Sequence, residues 1–274
     1  MSQVVNPELS AKIKKYWDER ARGTEQSSAQ ATTYDVFLRD LEIAKFKQKI
    51  SEASLPAGST VVDLGCGDGH ATTNVAAAFP TLRFIGIDWS EDMLAHARKR
   101  CADHPGLPER MSFHQGDMRR VTDVLKGQKH EVFLTSRSLI NLMYSEEQYA
   151  AIEQIALHLK PGGYYFGAEN FMGGQKNFND ARAAVGLPEI PVRWHNHFFE
   201  EKEYAERIAK HFDSLTFESF LSSYYLATRV IYSAGCHLAG EEPDYFHPIH
   251  QTAGKLPPIG DFCPIKLVSM RRKF

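Results

Sequence analysis

The sequence has no uncharged apolar run long enough to cross a bilayer, and its opening MSQVVNPELSAKIKKYW is too polar for a secretory signal. Both absences argue against a membrane partner. They make the cytoplasm the expected compartment. Cysteine is scarce: Cys66, Cys101, Cys236 and Cys263 are the four, and no two stand in a C-x-x-C pair. That spacing argues against a disulfide framework or a cysteine zinc site, and leaves reduced thiols. Neither sign of charge prevails, since 32 Lys and Arg against 34 Asp and Glu give a net charge of −2. A broad basic footprint for nucleic acid or an anionic surface is therefore missing.

What is present is enough for a sizeable core. With 274 residues, 43% of them hydrophobic, the chain suits one large α/β domain with an elaboration better than two small domains. Its organising stretch is Val61-Val-Asp-Leu-Gly-Cys-Gly-Asp-Gly-His70. An apolar run with β-branched residues reads as a buried strand, and the alternate glycines Gly65, Gly67 and Gly69 permit a sharp turn into a helix over Ala71 to Ala78. Such a turn turns backbone N–H groups and the positive end of a helix dipole toward an anionic ligand group. An ordinary strand–turn–helix connection has the same local pattern. The dinucleotide fingerprint G-x-G-x-x-G would place its third glycine at His70, so the spacing here differs from it.

The G-x-G-x-G loop behind Asp63 resembles motif I of the class I S-adenosylmethionine-dependent methyltransferases. Two further segments agree with that resemblance. Arg83-Phe-Ile-Gly-Ile-Asp88 ends a second strand in a carboxylate placed to accept from two ribose hydroxyls, with Trp89 beside it. Met111 to Met118 ends in Asp117, which the resemblance assigns to the adenine amino group, with Met118 packed on the ring. Asp117 as a solubilising strand end is the plainer alternative. The family implies S-adenosylmethionine as cofactor, S-adenosylhomocysteine as product, and a Rossmann-like, seven-stranded, mostly parallel sheet with helices on both faces. On that resemblance Asp63, Gly65, Cys66, Gly67, Gly69, Asp88, Trp89, Asp117, Met118, Ser136 and Arg137 form the cofactor site.

Within one domain over residues 1–274, residues 1–52 read as an N-terminal helical cap, 53–170 as the cofactor-binding core and 171–274 as the substrate-side half. The cap carries Ile13, Tyr16 and Trp17 on one helical spacing and Val36, Phe37, Leu41, Ile43 and Phe46 on another. It is expected over the cofactor edge, joined by a polar, movable loop from Gln26 to Asp35, with Asp35 or Thr33 capping the second helix. By resemblance, Tyr34 and Arg39 are assigned to the sulfonium environment and the methionine carboxylate. A solvated helix face accounts for Arg39 equally well. Downstream, Ser90 caps the next helix, and Ser145 to Leu159 reads as a capped amphipathic helix.

After the fourth strand, base methyltransferases of the family commonly carry Asn/Asp-Pro-Pro-aromatic, whereas this chain has Arg137, Ser138 and Asn141. Nucleic-acid bases thus fall away as acceptors. Arg137 at the strand tip either grips an anionic group or makes a structural contact, and Tyr144 is expected to close the same pocket. Glu169 and Asn170 end the fifth strand toward the expected substrate cavity, although an acidic strand end satisfied by backbone N–H groups is the plainer reading of Glu169. Met172 to Asn179 reads as a loop. His195 and His197 would share a face of an extended segment, and without a third ligand at matching spacing they argue for substrate contact or acid–base chemistry rather than a metal. His195, His197 and Glu169 are the catalytic candidates.

A sixth strand over Ser214 to Leu221 and an antiparallel seventh over Cys263 to Met270 enclose roughly forty residues, far beyond hairpin length. That insertion, about 224–261, is crowded with Tyr224, Arg229, His247 and other aromatic and polar residues that suit a substrate face, a lid or a homodimer contact. The function expected is methyl transfer to an O or N atom of a small polar metabolite such as a sugar or heterocycle. An NAD-dependent oxidoreductase and a non-catalytic adenosyl-cofactor-binding protein are the alternatives.

Overall fold

The computed structural model describes residues 6–24 and 31–274. Of the expected movable loop, residues 26–30 lie outside the described residues. Strands β1 (Thr60–Leu64), β2 (Arg83–Asp88), β3 (Met111–Gln115), β4 (His130–Ser136), β5 (Leu159–Asn170), β6 (Phe212–Glu218) and β7 (Ile265–Arg272) form one sheet in the order β3-β2-β1-β4-β5-β7-β6. The first five run parallel, and β7 runs antiparallel to both β5 and β6. This is the Rossmann-like, mostly parallel sheet anticipated from the motifs. Its order reverses between β1 and β4, where open α/β sheets leave a crevice beyond the carboxyl ends of their strands.

Side-chain alternation explains the two layers of helices. Val61 faces one core with α2 (Val36–Glu52), α3 (His70–Ala77) and α4 (Glu91–Ala102). Val62 and Leu64 face the other with α6 (Ser145–His158) and, further along, α8 (Glu201–Ile208), while α5 (Thr122–Leu125) closes the β3–β4 crossover on that side. Helix α1 (Pro7–Arg22) lies against α4 and buries Ile13. Asp35 caps α2 by accepting from the Leu38 N–H at 2.9 Å, and Ser90 caps α4 by accepting from the Met93 N–H at 3.2 Å, as their positions predict.

Two local expectations are corrected. Met172–Ala184 is a helix, α7, not a loop: a Cβ at Gly174 would stand 2.1 Å from the Cys263 carbonyl oxygen, and one at Gly173 would stand 2.6 Å from Glu201 Oε1. Close approach of the chain just before β7 and of the Glu201 side chain, rather than a turn, is what those glycines permit. Ser145 does not cap α6, since Tyr144 holds the cap position without a side-chain bond and the Ser145 hydroxyl meets His197 Nε2 at 3.1 Å. The expected insertion is helical: α9 (Ser222–Tyr225), a π-helical turn over Leu226–Ile231, α10 (Tyr232–Ala239) and α11 (Ile249–Ala253). It is fastened to the cap where the Tyr224 hydroxyl donates to Asp35 Oδ1 at 2.8 Å and meets His250 Nδ1 at 2.8 Å.

Candidate active site

The glycine turn leaves β1 with backbone N–H groups already assigned. The Gly65 and Cys66 N–H groups donate to the Ile87 carbonyl at 2.7 and 3.1 Å, and the Gly67 N–H donates to Asp88 Oδ2 at 2.9 Å. Gly65 has φ +79°, and a Cβ there would stand 2.3 Å from Ser138 Cβ. A side chain would therefore fill the space under the turn. Gly69, at φ +68°, serves packing: its missing Cβ would meet Ala97 Cβ at 2.6 Å, and it does not border the cavity above. Its expected cofactor contact is thus replaced by a close approach of α3 to α4.

That cavity encloses about 1110 Å³, its mouth included, at the carboxyl ends of β1, β2 and β4. Most of the expected cofactor residues border it: Asp63, Gly65, Cys66, Gly67, Asp88, Trp89, Asp117, Met118, Ser136 and Arg137, with Arg39 from α2. Trp17, Thr32 and Glu42 of the helical cap complete its wall, so the cap does cover this edge. Burial raises Asp63 to about 6, against the hydrogen bond it accepts from the Thr72 hydroxyl at 2.5 Å. Burial likewise raises Asp88 to about 6, opposed by backbone N–H donors at Ser90, Gly67 and Trp89. A carboxylate offers about four lone-pair directions, so Asp88 keeps acceptor capacity toward the cavity. Asp117 is gripped by Arg119, whose Nη2 donates to Oδ2 at 2.6 Å and whose Nε donates to Oδ1 at 2.9 Å.

Reading the sequence in segments missed Asp68. It is fully buried, forms an ion pair with Arg39, and lies 3.6 Å from Arg100 Nη2. Arg39 is therefore a buried, positioned guanidinium rather than a solvated one. Arg137 is held too: Glu42 of α2 pairs with its Nε at 2.9 Å and accepts from its Nη2 at 3.0 Å.

A second chamber adjoins the first and shares Trp17, Thr32 and Arg137 with it. Tyr34 borders this chamber and not the cofactor cavity; it is 59% exposed, with Arg20 over its ring. Asn170 and Arg229 also line it. So does His195, buried with its ring stacked on Tyr16 at 4.5 Å between centroids. Burial, and then the nearby guanidinium groups of Arg193 and Arg20, lower His195 to about 4. It is neutral at physiological pH.

Five other expected residues lie elsewhere. Glu169 borders neither cavity, because its carboxylate turns under the β4 tip to accept from the Ser138 and Leu139 N–H groups at 3.3 Å each. His197 is engaged by Ser145 behind the wall, so the two histidines do not share one chamber. Tyr144 is 40% exposed at the start of α6 and closes neither pocket. Tyr224 is core, tying Asp35 to His250, and His247 is a surface residue stacked on Tyr232. No group of three potential metal-ligating side chains occurs among the described residues. No helix among them is long and apolar enough to cross a membrane.

The methyltransferase domain family matches residues 61–163, the stretch from the glycine turn to the fifth strand. Residues 61–163 thus match a methyltransferase domain, in agreement with the resemblance to the class I S-adenosylmethionine-dependent methyltransferases. It is 34% identical over 143 residues to a dTDP-3-amino-3,4,6-trideoxy-α-D-glucopyranose N,N-dimethyltransferase of Streptomyces venezuelae, covering 48% of this chain and 54% of that one. It is 48% identical over 59 residues to a trans-aconitate 2-methyltransferase of Acidovorax sp. strain JS42, covering 22% of each. These matches span about half and about a fifth of the relatives' lengths. The magnesium protoporphyrin IX methyltransferase of Synechocystis PCC 6803 with bound S-adenosylhomocysteine has a similar fold, with TM-score 0.60 over 96% of this chain and 99% of that one at 13% identity.

Proposed function

We propose that this methyltransferase-family chain binds S-adenosylmethionine in the first cavity and transfers its methyl group to an O or N atom of a small polar metabolite in the second. The observation that carries this reading is the shared wall: Trp17, Thr32 and Arg137 border both spaces, so a donor in one can face an acceptor in the other. Gly65 and Gly67 leave room for close backbone approach, Asp88 has acceptor capacity for ribose hydroxyls, and Asp117 and Met118 suit the adenine. Arg39, fixed by Asp68, provides a cation for the carboxylate. The cofactor supplies a methyl group already activated by its sulfonium. The chain's task is then alignment of the acceptor, exclusion of water and, for a hydroxyl, removal of a proton. His195 is the one catalytic candidate that borders the acceptor chamber. Because its pKa lies near 4, its neutral form persists to about pH 5, and a flat rate profile above that pH is compatible with it. The acceptors named for the two relatives, an amino sugar nucleotide and aconitate, are also small and polar.

Isothermal titration with S-adenosylmethionine, S-adenosylhomocysteine and NAD tests the reading. Adenosyl-ligand binding without NAD binding is expected. Each hydrogen bond to a charged group contributes ~1.5–3 kcal/mol, so Asp88→Ala should weaken binding roughly 100-fold or more if two are lost. A folded sample that binds neither adenosyl ligand overturns the proposal.

A further inference from the structure

Asp117 stands just beyond β3, where it opens the helical turn Met118–Arg120 and borders the first cavity with Gly116 and Met118. Its side chain is 30% exposed, and the terminal torsion of an aspartate is broad, so an unassisted carboxylate there would be hydrated and free to turn. Arg119 removes that freedom. The carboxylate accepts from the Arg119 backbone N–H at 2.9 Å, from Nη2 at 2.6 Å, and from an Nε–H shared between its two oxygens at 2.9 and 3.1 Å. Such a fork fixes the plane of the carboxylate as well as its charge. Three N–H groups against about four lone-pair directions leave roughly one direction open.

The fork is itself braced. Arg119 Nη1 donates at 2.6 Å to Oε1 of Glu147, which lies on the first turn of α6 and is 4% exposed. Arg119 does not border the cavity, so Asp117 is gripped from outside it. Nearness in sequence does not account for the choice, since Arg120 turns outward to pair with Asp123 on the surface. Burial acts to raise Asp117, but the hydrogen bonds from Arg119 outweigh it and hold the carboxyl below its usual range. Asp117 is therefore an acceptor only.

Resting on the placement of the cofactor in the first cavity, we propose that Arg119, backed by Glu147, is the positioning residue that sets nucleobase selectivity, by aiming the open lone pair of Asp117 at a 6-amino group. Adenine presents an N–H on that line. Hypoxanthine presents a carbonyl oxygen, which would face a carboxylate oxygen with no proton between them, and its nearest donor, N1–H, lies off the line. A clamped carboxylate cannot follow that donor. A free one could swing toward it or admit a bridging water, and the selectivity would fade.

Calorimetric titration of the full chain with S-adenosylhomocysteine and S-inosylhomocysteine reads the selectivity as a ratio of affinities. The natural protein should bind the adenosyl ligand roughly tenfold or more tightly, the worth of one hydrogen bond to a charged group. Arg119→Met should bring the ratio near one. Arg119→Lys, which keeps the charge and loses the fork, should give an intermediate ratio, and it carries the comparison if circular dichroism shows Arg119→Met unfolded. A purely structural role for Arg119 would weaken both ligands together and leave the ratio unchanged. That result in the folded variants, or equal binding of the two ligands by the natural protein, overturns this assignment and leaves the cofactor reading standing. A folded natural protein that binds neither ligand removes both.

Discussion

Asp68→Asn isolates the buried charge on which the cofactor cavity rests. Asp68 is 0% exposed, its partner Arg39 has a side chain only 6% exposed, and Arg100 beside it is 15% exposed. The Asp68 carboxylate also accepts from the His70 N–H at 3.2 Å, which ties the pair to the first turn of α3. Asparagine keeps the shape, removes the negative charge, and leaves two cations facing an amide. Breaking a buried pair from one side costs ~3–5 kcal/mol, because the remaining charge stays desolvated. Domain stability is ~5–15 kcal/mol in total, so the loss is a large fraction of it. At ~2–4 °C per kcal/mol for a chain of this size class, the melting temperature should fall by roughly 6–20 °C. Urea unfolding followed by circular dichroism measures the free energy directly. Removing the guanidinium as well, in Asp68→Asn with Arg39→Met, should recover part of the loss. A loss below about 1 kcal/mol, the value of an exposed pair, or a double variant as unstable as additive losses require, would refute the reasoning.

Gly65→Ala should abolish S-adenosylhomocysteine binding in a protein that still folds, since φ +79° and a Cβ 2.3 Å from Ser138 Cβ force the turn to move; unchanged calorimetric affinity would show that the turn is not a ligand cradle. Burial raises Glu169 from 4.5 to about 7, so its proton is held more tightly in the folded than in the unfolded chain, and the stability it contributes is full below pH 4.5 and lost as pH rises through about 7. Urea unfolding at pH 5 and pH 8 should therefore show a larger decrease with pH for the natural protein than for Glu169→Gln, and parallel decreases would count against it. Tyr224→Phe removes the hydroxyl shared by Asp35 and His250 and should cost ~1–3 kcal/mol for the acceptor group left unmade. Hydrogen exchange should rise first at the start of α2, and unaltered exchange there would sever the link between cap and insertion.

Much of the site is local in sequence, and that part could be read directly. The β1–turn–α3 unit, the Asp88 tip and the Asp117 tip each carry their own signal: apolar alternation, glycines where φ is positive, and a carboxylate at a strand end. Parallel topology then forces these tips to one edge, because every right-handed crossover returns the chain in the same direction. Helix α7 was misread because glycine in sequence signals a turn, and only the approach of Cys263, Pro264 and Glu201 explains why a helix needs it there. Asp68 carried no signal of its own, since its meaning depends on Arg39, twenty-nine residues away in sequence and brought close by α2 packing.

By itself, then, the sequence determined the cofactor half: which strands form, where the glycine turn lies, and which carboxylates end the strands, all through short-range backbone and burial preferences. Tertiary structure decided the rest. It turned Glu169 inward to backbone N–H groups, put His197 behind the wall and His195 before it, exposed Tyr34, and placed Arg20, Arg137, Arg193 and Arg229 around one chamber. Those residues come from four separate segments, and no local pattern fixes which side of a wall a side chain takes once helices pack across a sheet.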